Sequence, residues 1–161
     1  MKKYWIFGLV TVAVLTLDQL TKSLIDSQMR LHESIPIISG LFRLTYIKNP
    51  GAAFGLLAES HPYFRAVFFI CVSVAAIILI GYYLKREKDS SPLMTLTLSL
   101  IMGGALGNLI DRIRFGEVID FLDFYIGPHH WPAFNVADSA ITVGAVLLLY
   151  TIISKKTSGK S

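Results

Sequence analysis

Four long apolar runs constrain this chain more than any other feature. They cover Tyr4 to Ile25, Tyr63 to Leu84, Leu93 through Ile110 to about Arg112, and Asn135 to Ile153. Each comes close to or exceeds the span of about 20 residues that a helix needs to cross a hydrocarbon core. A chain of 161 residues that is 53% hydrophobic and only 16% charged carries more apolar surface than one small core can hide. Lipid is the natural sink. The expected fold class is therefore an all-α integral membrane protein with four transmembrane helices, forming a single domain over residues 1–161. A single cysteine excludes an intramolecular disulfide and any cysteine-based metal cluster.

The first run begins like a signal peptide, with Lys2 and Lys3 ahead of apolar residues up to Leu17. No small-residue cleavage site follows, and the run passes into Asp18-Gln19-Leu20-Thr21-Lys22, so a retained helix is the better reading. The basic residues then sort by side. Lys2, Lys3, Lys85, Arg86, Lys88, Lys155, Lys156 and Lys160 flank the runs on one side. On the other side Arg30, Arg43, Lys48, Arg65, Arg112 and Arg114 are spread over two longer segments. The positive-inside rule puts both termini and the short 85–88 link in the cytoplasm, and residues 26–62 and 111–134 outside. The net charge of +4 is then a topology signal rather than a nucleic-acid footprint.

The first outer segment reads as extended. Ile35-Pro36-Ile37-Ile38 and Leu41-Phe42-Arg43-Leu44-Thr45-Tyr46-Ile47 are separated by the turn signal Ser39-Gly40, and Asn49-Pro50-Gly51 closes the second run. A small hairpin or sheet on the outer surface is expected, packed on the helices or the lipid because a lone hairpin is marginal in water. The second outer segment is read as an aromatic loop, its Phe115, Phe121, Phe124, Tyr125, Trp131 and Phe134 suited to an interfacial belt.

Ionisable groups within or beside the spans are the candidates for chemistry. Asp18 and Lys22, four apart on one helix face, are either functional or an ion pair whose lysine snorkels to the surface. The small residues of Gly103-Gly104-Ala105-Leu106-Gly107 suit close helix packing, and Asn108, Asp111 and Arg112 share a face if that helix continues. Asn135 can cap the fourth span with Asp138 in its first turn, a sufficient structural role on its own. Asp120 and Asp138, however, lie 18 residues apart on either side of the aromatic segment, which can return the chain and bring them together. Two adjacent, partly desolvated carboxylates share a proton, so that one activates water and the other protonates a carbonyl. That is aspartic-protease chemistry. His32, His61, His129 and His130 have no metal-ligand spacing, there is no Gly-x-Ser-x-Gly, and mid-span Cys71 reads as a buried structural thiol. The main alternative is a small proton-coupled transporter using Asp18, Lys22, Asp120 and Asp138 as a relay. It predicts charges at mid-membrane depth and an internal repeat, and no repeat is visible. A purely structural subunit leaves the paired acids unexplained.

Five blocks together resemble the bacterial lipoprotein signal peptidase (signal peptidase II) family: Asp18-Gln19-Leu20-Thr21-Lys22; Asn49-Pro50-Gly51-Ala52-Ala53-Phe54-Gly55; Gly104 to Arg112; Val118-Ile119-Asp120-Phe121; and Phe134-Asn135-Val136-Ala137-Asp138-Ser139. The resemblance implies four transmembrane helices with a small extracytoplasmic β-cradle, in the bacterial cytoplasmic (inner) membrane. It implies a metal- and cofactor-independent aspartyl peptidase with Asp120 and Asp138 as catalytic dyad. Asn49, Gly51, Asn108, Arg112, Asn135, Ala137, Asp18 and Lys22 would bind substrate or support the site. The implied substrates are diacylglyceryl-modified prolipoproteins cut just before the lipidated Cys. Membrane lipids are the other partners, the expected form is a monomer without nucleic acid, and globomycin is the expected inhibitor.

Overall fold

The structure, a computed structural model, describes residues 2–51, 57, 60–86 and 91–158, with side chains described up to Ser154. Ala52, Ala53, Phe54 and Gly55 of the second motif block, and Lys88 and Lys160 of the basic flanks, lie outside the described residues. Four helices are long and apolar enough to cross a membrane: α1 (Lys2–Gln28), α2 (Pro62–Arg86), α3 (Pro92–Phe115) and α4 (Val136–Ser158). These match the four expected apolar runs, with α1, α2 and α3 longer at both ends and α4 starting one residue later, at Val136, and running on to Ser158. Lys3 donates from Nζ to the carbonyl of Leu84 at 2.9 Å, so the start of α1 and the end of α2 share one end of the bundle with Lys85 and Arg86.

α3 is the central helix, and packs against α1, α2 and α4. Its ends are well specified. Ser91 caps the N-terminus by accepting the Met94 N–H at 3.2 Å, Pro92 follows, and Gly116 ends it in the left-handed region at φ 74°. Its small residues make the packing possible. A Cβ on Gly103 would collide with Val14 of α1, one on Gly104 with the Ala137 carbonyl of α4, and one on Gly107 with the Asp18 carboxylate. The outward faces of α1, α2 and α4 expose apolar side chains such as Leu9, Leu20, Ile78, Leu79, Val146 and Leu149. Cys71 lies among the exposed residues of α2, not in the interior expected for it. The lower core packs Ile80 of α2 with Met94, Leu98 and Met102 of α3.

At the other end lies a four-stranded antiparallel sheet in the order β1 (Ser34–Ile38), β2 (Phe42–Asn49), β3 (Val118–Ile126), β4 (His129–His130). The β1–β2 hairpin turns at Gly40 (φ 79°), as the sequence suggests. β3 is the larger departure, because the segment read as an aromatic loop is a nine-residue strand paired with β2. Its residues turn back at Gly127 (φ 57°) and a bridge from Leu122 to Phe134 returns the chain to α4. Some of the aromatics pack internally instead of forming a belt. Phe121 is buried with Ile25, Met29, Tyr46 and Ile119, and Phe124 stacks on Phe42 at 4.7 Å and on Phe134 at 6.0 Å. This second core ties the sheet to the ends of α1 and the start of α4.

The close approach at Gly104 makes a direct prediction. Gly104→Val should destabilise the protein by about 1–3 kcal/mol through overpacking, whereas Gly81→Ala, with open space around its Cβ, should not. Thermal unfolding midpoints in detergent micelles check this.

Candidate active site

The strand, the bridge and the helix cap put Asp120 and Asp138 on the wall of one cleft of about 720 Å³. Asn49, Asn108 and Arg112 line the same cleft, and Phe69, Val72, Ala76, Ile101 and Ile141 give it apolar walls from α2, α3 and α4. Asp120 comes from β3, where its register partner is Ile47 of β2. Asp138 sits in the first turn of α4, whose N-cap is Asn135: the Asn135 Oδ1 accepts the Asp138 N–H at 2.8 Å. The capping role expected from the sequence and a place in the site are thus held together. A second groove of about 610 Å³ runs along the outside of α1 beside Tyr4, Trp5 and Leu9 and carries no carboxylate.

Asparagine amides hold the two acids. Asn49 donates to Asp120 Oδ2 at 2.8 Å, Asn135 to Asp120 Oδ1 at 2.7 Å, and Asn108 to Asp138 Oδ1 at 2.7 Å. The amide orientations follow from their other bonds. Asn49 Oδ1 accepts the Gly51 N–H at 3.0 Å and Asn135 Oδ1 accepts a backbone N–H, so both NH2 groups must face Asp120. Gly51 also lines the cleft itself.

Behind this row lies a closed ionic cluster. Lys22 is 2% exposed and does not snorkel. Its Nζ reaches Asp18 Oδ2 at 2.9 Å, Asp111 Oδ2 at 3.0 Å and Asn108 Oδ1 at 3.0 Å. Asp18 Oδ1 accepts the Ala137 N–H at 2.9 Å, and Asp111 Oδ2 accepts the Ile119 N–H at 3.1 Å. Gln19 donates to Asp18 Oδ2 at 3.2 Å and to Asp111 Oδ1 at 3.0 Å. Asp111 shows in the sequence only as a neighbour of Asn108 and Arg112 on one helix face and in one motif block, and Gln19 only as part of a motif block, because the contact between them spans two helices. Arg112 stacks its guanidinium over Phe69 at 4.9 Å on the cleft wall. Among the described residues, no group of three or more His, Cys, Asp or Glu side chains is placed to hold a metal ion.

Comparison with known proteins decides the family. The model of the family described as Signal peptidase (SPase) II matches residues 10–154. The chain belongs to the signal peptidase II family. It is therefore an aspartic-type peptidase, not the transporter considered as an alternative. A lipoprotein signal peptidase of Syntrophus aciditrophicus (strain SB) is 53% identical over 157 residues, covering 97% of this chain and 98% of that one. One of Geobacter sulfurreducens is 53% identical over 153 residues, covering 95% and 94%. Two solved structures described as bacterial membrane enzymes, at 2.3 and 1.9 Å, match with TM-scores of 0.84 and 0.79 at 35% and 32% identity. They cover 96% and 91% of this chain, and 91% of each solved chain. The four apolar helices are those of a multi-pass membrane protein.

In this peptidase, burial and then repulsion from Asp138 push the Asp120 carboxyl up to about 7, against the pull of the Asn49 and Asn135 amides and the Lys22 ammonium. The consequence for stability has a definite sign. An acid raised in the folded state keeps its proton where the unfolded chain has lost it, so this group's contribution makes stability fall as pH rises from about 4 to about 7. Unfolding midpoints of the wild type and Asp120→Asn across that range should show the downward slope reduced in the variant.

Proposed function

We propose that the peptidase removes signal peptides from diacylglyceryl-modified prolipoproteins, cutting before the lipidated Cys, with Asp120 and Asp138 as the catalytic dyad. The observation that carries this reading is one cleft lined both by two amide-held carboxylates and by apolar side chains of three helices. A lipid-anchored peptide has the same combination, a polar scissile bond beside acyl chains and an apolar helix. The dyad shares one proton. The ionised carboxylate takes a proton from water as its oxygen attacks the scissile carbonyl, and the protonated partner gives its proton to the carbonyl oxygen. Collapse of the tetrahedral diol breaks the C–N bond: the carboxyl that took the water proton gives it to the leaving amine, one diol hydroxyl gives its proton to the other carboxylate, and the shared-proton state returns.

Substrate backbone must unwind before it can be cut, since amides within lipid are bonded internally. The Arg112 guanidinium on the cleft wall supplies donors for the freed carbonyls, and Ala137, whose N–H is held by Asp18, packs the first turn of α4 against Gly107 of α3 just before Asp138. The same reading places both termini in the cytoplasm and the dyad near the outer face of the bacterial cytoplasmic membrane. Lys3, Lys85 and Arg86 at the bundle end opposite the sheet support that orientation. Because the whole proposed site comes from one chain, the monomer acts as a single peptidase domain over residues 1–161. No cofactor or metal takes part. Globomycin blocks the cleft.

Asp120→Asn and Asp138→Asn should each lower cleavage of a diacylglyceryl prolipoprotein by roughly 10² to 10⁴, with no effect of a metal chelator on the wild type. Purified protein in detergent or vesicles, assayed by the mobility shift of the substrate, provides the measurement. Full cleavage by either variant rejects the dyad.

A further inference from the structure

We infer that Lys22, which touches neither cleft nor proposed dyad, is a positioning residue that fixes the orientation of Asn108 and so presents an N–H donor to Asp138. The inference rests on the dyad reading above. A carboxamide has one end that donates and one that accepts, and nothing in its shape alone prefers either orientation. For Asn49 and Asn135 the choice is made by backbone N–H groups of the same loop or helix turn. Asn108 lies in the middle of α3 and has no such neighbour to set it. Its oxygen faces the Lys22 ammonium at 3.0 Å, and an ammonium only donates. The oxygen is therefore held away from the cleft, and the NH2 is left for Asp138 at 2.7 Å. A weaker bond of 3.3 Å from the Asn135 amide reaches the same oxygen.

The rest of the cluster fits this task. Lys22 has three N–H bonds to give and gives one to each of Asp18, Asp111 and Asn108. The two acids hold the ammonium in place, and each carboxylate oxygen is also satisfied by a backbone N–H, by Gln19 or by Lys22 itself. If the cluster served packing alone, an Asp–Lys pair would suffice. The third bond is spent on the one amide that points at Asp138. Without Lys22, Asn108 can rotate and turn its oxygen toward Asp138, replacing an attraction with a repulsion between acceptors. In the intact site the charged groups around Asp138 and Asp120 are Lys22, Asp18, Asp111 and Arg112. Losing the ammonium and the donated N–H disfavours the ionised dyad, so the acidic limb of the rate profile moves to higher pH.

Because Lys22→Met alone leaves two buried carboxylates facing each other, the test uses Asp111→Asn as its reference, which keeps an oxygen for the Ile119 N–H. A double-mutant cycle adds Lys22→Met, Asn108→Ala, or both to that reference, with kcat, KM, pH profile and unfolding midpoint measured for each. Lys22→Met should lower kcat roughly tenfold or more with KM within about twofold, and move the acidic limb of kcat/KM upward. In the Asn108→Ala background the same change should cost less than about twofold, because the connection is already cut. Equal losses in both backgrounds, an unmoved acidic limb, or loss of folding in the Lys22→Met chain while the Asn108→Ala chain folds would each overturn the inference and leave Lys22 a structural residue. Asp138→Asn run alongside separates the two readings: cleavage surviving there rejects the dyad itself, whereas an inactive Asp138→Asn with an additive cycle rejects only the role of Lys22.

Discussion

The arrangement depends on one buried cation. An ammonium removed from water costs several kcal/mol unless each of its protons is taken, and breaking a buried pair costs about 3–5 kcal/mol. Lys22 meets that condition through Asp18 on its own helix and Asp111 and Asn108 on α3. The acids in turn hold the Ala137 N–H at the start of α4 and the Ile119 N–H at the start of β3. Parts of α1, α3, β3 and α4 are thereby set at one level. Directionless apolar packing between long helices does not specify that level, since one helix can slide along another by a turn at little cost. Charged hydrogen bonds do specify it.

From that level the site is assembled over short distances. Ile119, held by Asp111, is followed by Asp120, and Ala137, held by Asp18, is followed by Asp138. Each proposed catalytic acid is thus one residue from a backbone group anchored by a carboxylate of the cluster. The sheet then fixes the outer side of Asp120 through Asn49, and a separate clasp steadies the sheet itself. There Asp123 accepts from Arg43 at 2.6 Å and is bonded to His130 Nδ1 at 2.9 Å. Burial raises its carboxyl, but the bonds and charges of His130 and Arg43 outweigh this and hold it below the usual range.

The helices were legible in the sequence because a bilayer demands long uninterrupted apolar runs, and four such runs appear with bases at their ends. The glycines at 103, 104 and 107 announced close packing for the same reason. β3 was missed although its cues were present: Val118 to Ile126 is rich in branched and aromatic residues and ends at Gly127-Pro128. The same cluster of aromatics suits a loop at the membrane interface equally well. The pairing of Asp120 with Asp138 could be guessed from spacing and resemblance. The burial of Lys22 could not, since four residues of helix place it beside Asp18 whether it turns outward or inward. Only α3, with no side chain at Gly107 to block the Asp18 carboxylate, decides that it turns inward.

Among the described residues, the side-chain bonds to the proposed dyad come from α3, the N-cap of α4 and the sheet, while α2 lines the cleft with Phe69, Val72, Ser73 and Ala76. Acid–base machinery and the shape of the cleft's α2 wall are consequently separable. Substitutions on the inner face of α2 can widen, narrow or reshape the cleft while the amide bonds to the carboxylates stay intact. On the proposed function, the room for a substrate's acyl chains is then set in part by a helix that takes no part in holding the acids.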